Sequence, residues 1–269
     1  MESKVTAALG EELYEACVTG DLDAIKASIS RQQAANDAYT PPWPALMYKA
    51  TGKDHASIVE YCLDNGAQVT NDVMKILLIN RSKETYTLLL DAKAVDVNYY
   101  IPWFGDILGN VATNDDREWT GFCLRRGADP NKNPVDEHKP LLAAVAELVS
   151  VETVKMLVED GGAAVKGSGA IVMAAEEGKL DVVKYLLDNG ADINEVGIEH
   201  PTDERYKEDM GSALHKAADG GHEDVVRFLL NKGADVSLKD PLGRTPMALA
   251  LPKNNTRIVE LLKAHGAVE

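Results

Sequence analysis

Ala213-Leu214-His215-Lys216-Ala217-Ala218, then Gly221-His222, then Val225-Val226-Arg227-Phe228-Leu229-Leu230 and Gly233-Ala234-Asp235-Val236 make up the most informative stretch of this chain, because it recurs. The copy before it reads Ile171-Val172-Met173-Ala174-Ala175, Gly178, Val182-Val183-Lys184-Tyr185-Leu186-Leu187 and Gly190-Ala191-Asp192-Ile193-Asn194. Ile171 and Leu214 both stand 19 residues before the closing glycine, so the copies share one frame. The first segment of each reads as a short helix whose paired alanines let a neighbouring helix approach closely. Gly178 and Gly221 suit the tight reversal that follows. The second segment carries apolar residues at helical spacing. Gly190 and Gly233 end it in the left-handed conformation that glycine adopts without strain.

The frame extends in both directions. Gly266 follows Ile258-Val259-Glu260-Leu261-Leu262 and lies 33 residues after Gly233. Gly161 follows Val154-Lys155-Met156-Leu157-Val158 and lies 34 after Gly127, which follows Phe122-Cys123-Leu124. Gly66-Ala67 follows Ile58 to Leu63. Leu88-Leu89-Leu90 before Val95-Asp96-Val97-Asn98 is a degenerate copy without the glycine. Leu13 to Ile29, with Ala16-Cys17 and Gly20, gives a first copy.

With this period the chain resembles the ankyrin-repeat family, whose repeat is about 33 residues long. Asp240-Pro241-Leu242-Gly243-Arg244-Thr245-Pro246 is similar to the family's turn and helix-start signature. Thr245 suits a helix cap and Pro246 a first helical position. The resemblance is strong from Leu141 onward and weaker before it. It implies an all-α repeat protein, an ankyrin-repeat solenoid of about eight helix–turn–helix units. One domain over 1–269 is expected, with units near 9–38, 39–70, 71–100, 101–135, 136–166, 167–208, 209–241 and 242–269. It also implies that His215, after the helix-start leucine, bonds a neighbouring loop, and that His222 is structural too.

Composition narrows the function classes. The chain has 269 residues and a net charge of −15, which repels phosphate backbones and favours a basic partner surface. No run of Lys or Arg exceeds the pair Arg125-Arg126, so no basic patch for nucleic acid is expected. Cys17, Cys62 and Cys123 lie far apart, which argues against a disulfide scaffold. All three fall on core positions of the repeat and are expected to be buried. The first ten residues lack an apolar core of signal-peptide length, and no stretch approaches the roughly 18 apolar residues that span a bilayer. A soluble protein of the cytoplasm, with the nucleus also open, is expected.

Three departures from the repeat attract interest. The interval from Gly190 to Gly233 is 43 residues, about ten more than the period, and places a polar insertion at 195–210. Such a loop is either a tolerated surface excursion or part of a binding face. The connector Asn98-Tyr99-Tyr100-Ile101-Pro102-Trp103-Phe104 concentrates aromatics in a chain that has few. Tyr99 and Phe104 are assigned to packing, Tyr100 and Trp103 to anchoring a partner. Tyr39-Thr40-Pro41-Pro42-Trp43-Pro44 crowds prolines around a tryptophan, and Trp43 is either a second anchor or a filler between the first two units.

The repeat frame aims Lys49, Asn110, Thr113, Ala144, Glu147, Met173, Glu176, Lys216 and Asp219 at a groove. Chemistry leaves little mark: no paired histidines at helical zinc-site spacing, no Cys-x-x-Cys, and no nucleophile elbow occur. Gly162 to Gly169 resembles a phosphate loop but lacks its Lys-Ser/Thr pair. The expected function is binding of another protein on the concave and finger face, acting by occupancy as a scaffold or inhibitor. The expectation includes no enzyme activity, no cofactor, no metal, no membrane and a monomer. Candidate contacts are Trp43, Tyr100, Trp103, Glu176, His200, Tyr206, Lys216, Asp219 and Arg244. The alternative is an enzyme or small-molecule binder with a pocket in the groove, where Glu176 and Asp219 would do acid–base work.

Overall fold

A computed structural model describes residues 2–135, 139–197 and 210–268. Its helices divide into two compact units, 1–101 and 102–269, where the sequence reading has one continuous array. The first unit holds α1 (Glu2–Thr19), α2 (Leu22–Ala35), α3 (Trp43–Thr51), α4 (Ala56–Asp64), α5 (Asn71–Asn80) and α6 (Lys83–Asp91). The second holds α7 (Ile107–Thr113), α8 (Arg117–Arg125), α9 (Leu141–Leu148), α10 (Val151–Lys155, continued by a π turn, Met156–Asp160), α11 (Ala170–Glu176) and α12 (Leu180–Asp188). It continues with α13 (Ala213–Gly220), α14 (Glu223–Asn231), α15 (Pro246–Ala250) and α16 (Thr256–Ala264). Among the described residues there is no strand, only the isolated bridges Val135–Lys139 and Val196–Ser212. The fold is an all-α repeat fold of the solenoid class.

Each odd-numbered inner helix packs on the even-numbered outer helix that follows it. Inner helices also pack on one another, α1 on α3 and α3 on α5 in the first unit, and α7, α9, α11, α13 and α15 in sequence in the second. Small residues make the close approach possible. Ala174, Ala175, Ala217 and Ala218 are fully buried at these contacts. A core of Ala, Val and Leu thus needs few aromatics. Cys17, Cys62 and Cys123 sit in that core with no solvent exposure. Burial pushes the Cys17 and Cys62 thiols up to about 12, so both stay protonated and unreactive at neutral pH.

Caps form where local chemistry dictates. Thr245 accepts from the Ala248 amide, with Pro246 at the first helical position. Within every pair but α9–α10, where Val149 is extended at φ −124°, the chain reverses through a residue of positive φ: Gly20, Asp54, Arg81, Asp115, Gly178, Gly221 and Asn254. The next residue then reaches back to the preceding pair. His55 Nε2 donates to Val18 O at 3.1 Å, Ser82 Oγ to Thr51 O at 2.6 Å and Lys179 Nζ to Val149 O at 2.8 Å. His222 Nε2 donates to Glu176 O at 2.7 Å, and Asn255 Nδ2 to Ala218 O at 3.2 Å. These donors satisfy carbonyls left open at the inner-helix ends. The opening pair of each unit differs: Asp21 and Asp116 cap their own helices, accepting from the Ala24 and Trp119 amides.

Two details revise the sequence frame. The first inner helix begins earlier than residue 9, running from Glu2 through a break at Gly10, whose φ of 69° and ψ of 169° suit glycine alone. Gly161 is not the closing left-handed glycine of its repeat; its φ is −100°. Gly162 takes that role at φ 67°, because the outer helix here holds one extra residue, absorbed in the π turn. The Ala163 amide therefore reaches Leu157 O six residues back, where Ala191 and Ala234 reach five. Gly161 is still sterically required, since a Cβ there would lie 2.8 Å from both Leu124 Cδ2 and Leu157 O.

Candidate functional site

The loop that opens the second unit carries the most exposed aromatic among its described residues. Trp103 is 91% exposed and sits at φ 63°. A bulky side chain in that region costs about 1–3 kcal/mol, so the surrounding loop must hold it there. The base of the loop shows how. Asn110 Nδ2 donates to Phe104 O at 2.7 Å and to Asp106 O at 3.0 Å. Asp106, itself buried, accepts from the Gly109 amide at 2.6 Å, capping α7, and from Asn133 Nδ2 at 2.6 Å. Burial pushes its carboxyl above the usual carboxylate range, against the pull of those two donors. The indole is thus presented to solvent from an anchored base. Phe104 is half-buried.

In the first unit Tyr99 donates its hydroxyl to Asn71 Oδ1 at 2.7 Å, a packing role, while Tyr100 is 39% exposed. Trp43 opens α3 and is half-buried. Its ring meets Tyr61 edge-on, with centroids 5.7 Å apart at 74°, and Lys26 Nζ lies 5.3 Å from the Tyr61 centroid. This geometry favours the filler role between the first two helix pairs over an anchor.

The inner-helix row of the second unit is a series of ion pairs. Lys139 meets Glu147 at 2.7 Å, Lys216 meets Glu176 at 2.9 Å and Lys253 meets Asp219 at 3.4 Å. Each is partly exposed and worth up to about 1 kcal/mol, so the row shapes surface charge more than stability. Glu176 and Asp219 are engaged by different lysines. Neither lines the cleft of about 280 Å³ in this unit, whose walls are Pro130, Pro134, Pro140, Leu141 and Leu142 with Lys166 beside them. The acid–base reading therefore gains no support from this cleft.

Arg244 belongs to the fold. Its Nε donates to Asp240 Oδ2 at 2.6 Å and its amide to Asp240 Oδ1 at 2.8 Å, closing the turn before α15. Its carbonyl accepts from His215 Nε2 at 3.0 Å. That bond fixes the neutral tautomer, leaving Nδ1 to accept from the Ser212 amide at 3.2 Å. Burial holds His215 below the usual histidine value, with the Arg244 carbonyl pulling the other way. His200 and Tyr206 lie outside the described residues. The insertion that carries them is closed at its base, where the Gly197 amide donates to Gly211 O at 3.0 Å.

What the sequence reading missed is the set of back-reaching donors, Ser82, Lys179 and Asn255 beside the two histidines. Their signal was positional: each follows the left-handed turn residue. Among the described residues no group of three or more His, Cys, Asp or Glu gathers to hold a metal, and no helix is long and apolar enough to cross a membrane.

Paired helices closed by left-handed turns and stacked through small residues define a helical repeat protein. The family model for ankyrin repeats (three copies) matches residues 109–196 and 198–268, more than half of the chain. The chain belongs to the ankyrin-repeat family. A search of curated proteins found no match. Ankyrin repeats are in general protein–protein interaction modules.

Proposed function

We propose that this protein binds a partner protein through its loop tips and inner-helix row and acts by occupancy, as a scaffold or an inhibitor. The carrying observation is Trp103, an indole almost wholly in solvent on a backbone conformation that disfavours it. Exposed tryptophan costs solvation and, on burial in a partner pocket, is among the strongest interface anchors. Tyr100, Glu176, Lys216 and Asp219 are secondary contacts in this proposal, with His200 and Tyr206 contributed by the insertion. The net charge of −15 favours a basic partner surface and repels nucleic acid. The proposal places the protein in the cytoplasm or nucleus as a monomer without catalytic activity.

The test is affinity purification with mass spectrometry, comparing wild type with Trp103→Ala and with a variant lacking 199–209. Both variants are expected to keep the wild-type thermal midpoint, since Trp103 is exposed and Gly197 and Gly211 already meet at the base of the insertion. Partner recovery is expected to fall at least tenfold for Trp103→Ala, the about 2 kcal/mol of a hot spot. The same partners, recovered equally by both variants, would remove this face from the proposal.

A further inference from the structure

The cleft of about 280 Å³ in the second unit contains neither Trp103 nor a member of the ion-paired row among its described lining. That lining comes from two successive inter-repeat turns, 130–134 and 164–168, and from the start of α9.

Its two sides differ in chemistry. Pro130, Pro134 and Pro140 lie on one side, three of the chain's 11 prolines. Proline has no amide hydrogen, so these rings offer apolar surface and no donor. Leu141 and Leu142, each 2% exposed, continue that surface. The other side is the turn Val165–Ser168, closed by the Ser168 amide and hydroxyl, which both donate to Val165 O, with Gly167 at φ 77°. The Lys166 and Gly167 amides at its tip meet no backbone acceptor among the described residues. Lys166, exposed, is the one cation of the described lining, which holds no carboxylate. Salt screens the chain's distant carboxylates beyond about 8 Å, so the adjacent lysine sets the local sign.

The cleft is also built in advance. Asn131 straps the two turns together: its Nδ2 donates to Gly162 O at 3.1 Å and its Oδ1 accepts from the Ala164 amide at 2.8 Å. Asn133 Nδ2 donates to Asp106 Oδ2 at 2.6 Å and holds the far side of the first turn.

An apolar wall facing a cation and free amides fits a ligand that carries an apolar group and a carboxylate close together. Neighbouring side chains of an extended segment point to opposite faces, so an internal apolar–acidic pair cannot enter one cleft together. A residue at the end of a chain carries its side chain and its carboxylate on one Cα. We propose that this cleft takes the C-terminal residue of a partner protein, with an apolar side chain against the prolines and Leu142 and the terminal carboxylate on Lys166 and the Gly167 amide. Charge-assisted hydrogen bonds hold the carboxylate, and the apolar wall selects the side chain. This inference stands apart from the anchor at Trp103, and its test needs no natural partner.

The test uses the full chain, labelled for amide NMR, titrated with acetyl-Ala-Ala-Leu as the free acid. Its C-terminal amide, acetyl-Ala-Ala-Ala free acid and the internal control acetyl-Ala-Leu-Ala-Glu-Ala-amide are run beside it. Saturable shifts are expected at residues 131, 133, 141, 142 and 164–168, with a dissociation constant of about 1 mM, as fits one residue. The amide should bind about tenfold or more weakly, through the lost charged contact, and the alanine peptide about tenfold more weakly, through the lost apolar contact. Lys166→Glu should also cost about tenfold or more, and Ala164→Leu, which fills the cleft, should abolish the shifts. Lys166 and Ala164 are both exposed, so each variant is expected to keep the wild-type thermal midpoint. Absence of saturable shifts, equal binding of acid and amide, or unchanged affinity in either variant would overturn the proposal. Equal binding of the alanine peptide would do the same for the apolar wall. The internal control binding as tightly as the free acid would overturn the chain end as occupant.

Discussion

In the repeat at 213–234 the backbone turns left-handed at Gly221 and again at Gly233; in the repeat at 71–94 it does so at Arg81 and Lys93. The first repeat reaches back to its neighbour with a histidine ring, the second with a serine hydroxyl. Turn bonds are the same in both: His222 N to Ala217 O and Ser82 N to Leu77 O, then Ala234 N to Leu229 O and Ala94 N to Leu89 O. One backbone is thus written in two side-chain vocabularies. Packing of the buried inner and outer helices fixes the conformation, and glycine only lowers the strain of adopting it. An L-residue there costs about 1–2 kcal/mol, an amount the surrounding contacts absorb.

The largest test of this comparison is Gly178→Ala. A Cβ at Gly178 would lie 2.4 Å from His222 Nδ1, on a backbone already at φ 67°. Overlap and strain together are expected to cost about 3 kcal/mol, read as a lower urea midpoint. A loss under about 1 kcal/mol would show that the glycine-rich repeats have as much slack as the degenerate one. Next in size is Ser82→Ala, which removes one of two donors to the carbonyl of the fully buried Thr51 and leaves only the Asp54 amide at 3.1 Å. The expected loss is about 1.5 kcal/mol by the same measurement, and a neutral result would mean that the first unit does not rely on its back-reaching bonds. Lys93→Gly should gain about 1 kcal/mol by relieving the left-handed turn, and Gly233→Lys should lose a similar amount. Opposite signs for these two substitutions sharpen the comparison; equal signs break it.

The smallest effect concerns pH. His215 is neutral in the fold and its value lies below 6.5, so the unfolded chain takes up its proton first as pH falls. Its contribution is complete above about pH 6.5 and is lost as pH drops below that value. A His215→Gln variant should therefore show a flatter thermal midpoint between about pH 7 and pH 5 than wild type.

Much of the fold was legible because its signals are local. Thr245 and Pro246 announce a helix start, and the alanine pairs announce close inner-helix packing. Lys93 and Arg81 hid their turns because nothing in either residue type points to positive φ; only the register does. The candidate site was read less well for a related reason. Arg244 is tied to Asp240 four residues away, and Trp43 turns onto Tyr61 from the next helix. Lys49 is buried through Tyr14, which lies in another repeat. Such outcomes depend on which neighbour each side chain finds. Within one connector Trp103 is exposed while Tyr99 and Phe104 are half-buried, a division that residue type alone does not decide.

The π turn at Met156–Asp160 carries a lesson about tolerance. An added residue in an α-helix rotates everything beyond it by about 100°, enough to swing a buried row into water. Here the addition falls after Val154 and Leu157, the residues that face the core, and is taken up before Ala163. Nothing downstream is rotated, because α11 starts from its own turn. Punctuated in this way, the array confines a slip in spelling to the word in which it occurs.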